Sequence, residues 1–233
     1  MKITVPGNVD IHALACLQAL QKSSAGRFVV LGGAFGLFHY HEYRKTKDVD
    51  AWWSENAAHN DEREAVDTIE KALQKFGEVR TKGFGDVISV NLMKDSKIIF
   101  SFQIARRSVV LEEPDESPWK PILLDSLKDL IASKMAALIQ RGIPRDFMDI
   151  HEICIHEIAT VSECWNWWRE REKKRGVSEV VFGEAREAVL LHLNRIERMR
   201  PLDSIKEDQE RDRAFGVRRW FKDLFCGVLN GLD

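Results

Sequence analysis

The chain has no run of the roughly 18 consecutive apolar residues that a membrane-spanning helix needs. It has no CxxC pair either. Cys16, Cys154, Cys164 and Cys226 are scattered, which argues against a zinc ribbon or a disulfide framework and fits a reducing cytoplasm. Neither sign of charge dominates: 35 Lys and Arg stand against 37 Asp and Glu, a net charge of -2. That balance argues against a protein that coats nucleic acid over its whole surface, and leaves room for a local basic patch. With 14 Gly and 6 Pro in 233 residues, collagen-like and Pro-rich disordered chains are excluded. Residues Met1 to Val9 lack the basic patch and apolar run of a signal peptide. Repeats and low-complexity tracts are absent.

What is present is an ordinary globular composition, 44% hydrophobic and 31% charged, enough for one large or two small domains. Ile11, Leu14, Leu17 and Leu20 recur at helical spacing behind Asp10, a suitable N-cap. The apolar run Phe28 to Leu31 predicts a buried strand that ends in Gly32-Gly33. A helix over Ala34 to Tyr43 and a second strand over Asp48 to Trp53 follow. Asp61 to Phe76 has one apolar face, and Val87 to Met93 with Ile98 to Ala105 predicts a hairpin about the polar turn Lys94 to Lys97. Glu112 to Pro121, with three prolines and several acids, predicts a linker. Beyond it, helices are expected at Leu124 to Ile139, Arg145 to Val161, Ala185 to Arg198 and Arg211 to Leu229. The expected class is α+β: a small mixed sheet with helices over residues 1–111, then a helical subdomain over 122–233.

Asp48-Val49-Asp50 concentrates the chemistry. On a strand, residues i and i+2 point to one face, and two carboxylates side by side repel unless a cation or proton lies between them. Magnesium is held by one or two carboxylates together with phosphate oxygens, so the pair suits a metal-triphosphate anchor. The plainer reading is a pair satisfied by Arg44, Lys45 and Lys47. Gly32-Gly33 lies some fifteen residues upstream, where glycines let backbone amides approach a phosphate. Farther on, Lys134 and Arg141 are seven positions apart and share a helical face. Gly142-Ile143-Pro144 breaks that helix, and Arg145-Asp146 opens the next, where Asp146 suits the positive dipole end. Lys134, Arg141 and Arg145 can then meet phosphate oxygens, with Asp146 and Asp149 orienting them. The plainer reading here is two amphipathic helices carrying surface ion pairs.

The stretch Val30-Leu31-Gly32-Gly33-Ala34 through Arg44-Lys45-Thr46-Lys47-Asp48-Val49-Asp50 resembles the first motif of the DNA polymerase β-like nucleotidyltransferase superfamily. It is most similar to the branch of AbiE-type abortive-infection toxins. Asp129 to Lys134 through Arg141 and Arg145-Asp146-Phe147-Met148-Asp149 resembles that branch's second motif. The resemblance implies metal-dependent transfer of a nucleotidyl group from an NTP, with Mg2+ (or Mn2+), to an acceptor such as tRNA or another RNA. It implies Asp48 and Asp50 as metal ligands, and Asp48, Asp50, Lys134 and Asp146 as catalytic. Gly32, Gly33, Arg44, Thr46, Arg141 and Arg145 would bind nucleotide. A toxin with a cognate antitoxin protein also follows from it, while the lack of a spanning apolar run leads us to expect no membrane partner.

Two positions depart from that pattern. A third carboxylate is expected on a later strand facing the DxD, yet Ser101 and Gln103 occupy the polar face of Ile98 to Ile104. Asp86 and Asp146 are the candidate substitutes. Ala34 replaces a hydroxyl residue that often follows the glycine turn. The alternatives are therefore a nucleotide- or RNA-binding module without transfer, or nucleotidylation of a small molecule. His39 and His41, or Cys154 and His156, are poorly spaced for a metal. Trp165, Trp167 and Trp168, beside a run of mixed charge, are expected to pack inward.

Overall fold

The strand Asp48–Trp53 (β2) alternates strictly, with Val49, Ala51 and Trp53 buried and Asp48, Asp50 and Trp52 on the more open face. That alternation sets the two sides of the sheet to which it belongs. The structure is a computed structural model that describes residues 2–227. The last two positions of the expected helix Arg211 to Leu229 lie outside the described residues. The chain divides into two compact units, Met1–Leu130 and Ile131–Asp233.

The first unit opens with the helix Ile11–Gln21 (α1), whose N-cap Asp10 accepts from His12 N at 2.8 Å. The strand Val29–Leu31 (β1) follows, then the short helix Gly33–Leu37 (α2), β2 and the helix His59–Gln74 (α3). Three antiparallel strands come next: Glu78–Phe84 (β3), Val87–Lys94 (β4) and Lys97–Ala105 (β5). The two-residue strands Asp115–Glu116 (β6) and Leu123–Leu124 (β7) complete a seven-stranded mixed sheet ordered β3-β4-β5-β2-β1-β7-β6. β2 runs parallel to β5 and antiparallel to β1. One face is covered by α1 and α3, which bury Cys16, Leu17, Leu20, Ile69 and Leu73 with Val49, Val90, Phe100 and Phe102.

The hairpin β4–β5 turns at Asp95 and Ser96, both with left-handed φ (49° and 61°), as the twist of a two-residue connection demands. Three expectations are corrected. The helix after Gly33 is only five residues long, with turns beyond it to Tyr40. Glu112 to Pro121 is no linker: β6 pairs with β7, β7 pairs with β1, and Ser117 and Trp119 are buried. β3 was not expected at all.

In the second unit, the helix Leu127–Gln140 (α4), which begins just before the division, leads to Pro144–Ile155 (α5), with Pro144 at its first turn. α5 stops earlier than expected, at Ile155, because Glu157 turns the chain with φ 56° and Thr160 caps a new helix, Val161–Lys174 (α6). Phe182–Met199 (α7), Asp208–Trp220 (α8) and a wide helical turn at Phe221–Phe225 follow. Trp165 and Trp168 are buried as expected but Trp167 is only half-buried, and Trp165, Phe147, Phe221 and Phe225 form an aromatic core with centroids 4.7 to 5.0 Å apart.

Candidate functional site

The register of the sheet decides what faces the two aspartates. Asp48 pairs with Ser101 and Asp50 with Gln103 across the parallel β2–β5 edge. Continuing outward, Ser101 pairs with Asn91 and then Arg80, and Gln103 with Ser89 and then Lys82. Directly paired residues share a face, so two polar rows run from the aspartates to the sheet edge.

The place of the third carboxylate is therefore neutral and satisfied. Ser101 Oγ donates to Asn91 Oδ1 at 2.9 Å, and Asn91 Nδ2 donates to the carbonyls of Arg80 and Ser89, each at 3.3 Å. Asp86 lies in the β3–β4 turn, two strands from β2, and is exposed. Asp146 is engaged elsewhere, as described below.

On the other side of β2, Gly32 N donates to Asp50 O at 2.8 Å. A β-carbon on Gly33, whose φ is +58°, would lie 2.2 Å from Asp50 Oδ2, and one on Gly32 would lie 2.3 Å from Trp52 Nε1. The two glycines are thus the space into which Asp50 and Trp52 fold. Thr46 Oγ1 donates to Asp48 Oδ1, holding that carboxylate by its preceding loop. Arg44 lies over Phe38 and Tyr43, 5.5 and 5.9 Å from their centroids. Gly32, Gly33, Thr46, Asp48 and Asp50 are brought together, and Arg44 is held on aromatic rings in the loop before them.

Behind Trp52 is a cluster that the sequence reading missed. Arg107, with its guanidinium 5.4 Å from the Trp52 ring centroid, grips Asp125 with two nitrogens and reaches Asp129 Oδ1 at 3.3 Å. Asp129 also accepts from Leu111 N, Glu112 N and Ser126 Oγ. Burial pushes the Asp125 carboxyl up to about 6, against the pull of Arg107. Both aspartates are fully buried. No local pattern announces a pairing across 18 residues.

In the second unit, the expected basic residues are each held or exposed in a defined way. Lys134 Nζ is 2.6 Å from Asp149 Oδ2, both buried. Arg141 makes a two-pronged pair with Asp146, Nε to Oδ2 and NH2 to Oδ1, each at 3.0 Å. Asp146 also accepts from Ile143 N at 3.2 Å, so it caps α5. Gly142 ends α4 with φ +45°, against His192, whose Nε2 reaches Ile139 O at 3.1 Å. Arg145 is exposed.

One family description, "Nucleotidyl transferase AbiEii toxin, Type IV TA system", matches residues 15–218. The chain belongs to this family. AbiEii membership makes it a nucleotidyltransferase toxin of a type IV toxin-antitoxin system, with NTP as substrate, usually a divalent metal, and a cognate antitoxin. The mixed sheet with helices is the α+β fold that membership entails. No individual curated protein matches the chain. Among the described residues, no helix is long and apolar enough to cross a membrane.

Proposed function

We propose that the chain transfers a nucleotidyl group from an NTP to RNA, tRNA foremost, at a site built on Asp48 and Asp50 with Mg2+ (or Mn2+). The observation that supports this most is the close approach of Asp50 to Gly33. A side chain at position 33 would displace the carboxylate, so the glycine lets the turn lie against Asp50 while Asp48 and Asp50 stay half-buried on one face of β2 as two hard oxygen donors. Such donors fit a hard divalent cation. When bound, the ion supplies Lewis-acid polarisation of phosphate oxygens and offsets their charge.

The chain's own groups do the rest. Thr46 fixes the direction of Asp48. Gly32 spends its own amide on Asp50 O and so fixes the turn to β2, Gly33 leaves room beside that turn for a phosphate, and Arg44 adds positive charge in the preceding loop. Within the second unit, Asp149 orients Lys134 and Asp146 orients Arg141, while Arg145 stays exposed; family resemblance gives these three cations the role of meeting phosphate. A neutral Ser101 and Gln103 remove a general base from its expected place. Phosphoryl transfer through a loose transition state depends mostly on positioning and electrostatics, so transfer does not require a carboxylate base at that place. The site acts in the cytoplasm, where NTP and RNA are both abundant.

The test is transfer of label from an α-labelled NTP, with Mg2+, to tRNA, to other RNA and to small-molecule acceptors. Undiminished transfer by Asp48→Ala/Asp50→Ala protein would refute the site. The satisfied Ser101–Asn91 pair favours one second reading, a nucleotide-binding module without transfer. Metal-dependent NTP binding with no turnover on any acceptor would establish it instead.

A further inference from the structure

The polar rows do not stop at the aspartates. They end on β3, the edge strand, where Arg80 and Lys82 are exposed. A third pairing, Trp52 to Ala105 to Val87 to Phe84, places Phe84 on the same face. Phe84 is 89% exposed, on a hairpin tip that turns at Gly85 with φ +56°. An aromatic side chain so exposed contributes nothing to the core, yet the strand holds it in line with two cations. Glu78 shares the face and binds Arg80 Nε at 2.6 Å, engaging one of the five N–H donors of that guanidinium. Lys45 and Lys47, both exposed, stand just before Asp48.

The geometry points to this face as a track for a single-stranded RNA acceptor, running from Phe84, Lys82 and Arg80 to Asp50 and Asp48. The inference rests on the RNA-acceptor reading above and deepens it. Charge complementarity selects the occupant. Cations spaced along a strand match a phosphate backbone, and an exposed ring offers a stacking platform for a base of any identity. Three strand spacings of about 4.8 Å put Lys82 roughly 14 Å from the β2 axis, so a strand anchored at the edge has to extend inward to present its terminus. The half-buried Ser89 and Gln103 floor the intervening stretch with neutral polar groups, which repel neither phosphate nor ribose, while Asn91 and Ser101 are buried and bonded to each other.

The test uses the full chain and a fluorescein-labelled, unstructured RNA of about 12 nucleotides, read by anisotropy across salt concentrations. Arg80→Gln/Lys82→Gln should reduce the slope of log affinity against log salt by about 1.4, two contacts at about 0.7 each. Phe84→Ala should weaken binding roughly 5- to 150-fold and leave that slope unchanged. Lys82→Arg and Phe84→Trp should bind as the parent does. Melting temperature, with and without NTP and Mg2+, checks that each variant keeps its fold and its nucleotide site.

Parent protein that fails to bind RNA while NTP still raises its melting temperature overturns the track. So do variants with unaltered RNA affinity, including the case where Phe84→Ala disrupts only antitoxin binding or self-association. Transfer from α-labelled NTP is scored separately. Track-dependent RNA binding without any transfer sinks the catalytic reading and keeps the track. Transfer to RNA with affinity indifferent to these changes does the reverse.

Discussion

The Asp50 carboxylate lies against the α-carbon of Gly33, where a β-carbon would come within 2.2 Å of Asp50 Oδ2. Gly33→Ala therefore meets two obstacles. Its φ of +58° costs a non-glycine residue about 1–2 kcal/mol, and the new methyl collides with the carboxylate. The expected outcome is a lower melting temperature together with loss of Mg2+-dependent NTP binding. Gly32→Ala meets Trp52 Nε1 at 2.3 Å instead, without a positive φ. It should disturb the indole first, visible in tryptophan fluorescence, and nucleotide binding less. Equal loss of NTP binding in the two variants would show that displacement of Asp50 is not what matters.

Asp48→Asn and Asp50→Asn separate function from folding. Both carboxylates lie partly exposed on one face of β2, and two like charges there repel. Neutralising either should leave the urea midpoint unchanged or raised, while transfer activity falls by at least about 100-fold, the upper end of what even outer-shell ligand changes cost. A variant that loses stability in proportion to activity would mean that the pair is structural.

Arg107 holds two buried aspartates and is itself buried, with 6% of its side chain exposed. Arg107→Ala leaves Asp125 and Asp129 facing each other without their cation, and should destabilise by roughly 3–5 kcal/mol, as broken buried pairs do. Asp125→Asn keeps Asp129 paired and removes a carboxyl that burial already disfavours, so its cost should be clearly smaller. Urea unfolding of the two variants decides the order, and a costlier Asp125→Asn would contradict it.

How much of this was legible in the chain depended on where the determinants lay. β2 was readable because Val49, Ala51 and Trp53 alternate with Asp48, Asp50 and Trp52. Gly32-Gly33 was readable as a turn, but its reason was not, since Asp50 and Trp52 press on it only after folding. β3 escaped because Glu78, Arg80, Lys82 and Phe84 are exposed, and an edge strand without a buried side needs no apolar period. β6 and β7 escaped for another reason. Two-residue strands carry no periodicity, and three prolines imitate a linker. The Arg107–Asp125 pair depends on β7 lying beside β1, with Asp125 N bonded to Leu31 O at 2.9 Å, which only topology supplies.

His39 gives the stability a pH dependence whose sign is fixed by its hydrogen bonds. The ring is fully buried, with Nδ1 at 3.0 Å from Phe35 O and Nε2 accepting from Trp119 Nε1 at 2.9 Å. Acceptance at Nε2 requires the neutral ring protonated at Nδ1. Burial accordingly lowers its pKa below the usual 6.5. Below about pH 6.5 the unfolded chain takes up a proton that the folded chain refuses, so stability falls with acidification, by at most about 1.4 kcal/mol per pH unit. His151, lowered by burial, acts in the same direction. Asp125, raised from 3.8 to about 6, acts in the opposite one, since the folded chain binds its proton first between those values. The two signs partly cancel in the parent protein. His39→Gln should lose stability at pH 7.5 through the broken Trp119 and Phe35 bonds, yet decline less steeply than the parent from pH 6.5 to 5.5. Urea titrations at the three pH values measure it; parallel profiles for the two proteins would show that His39 takes up its proton as readily folded as unfolded.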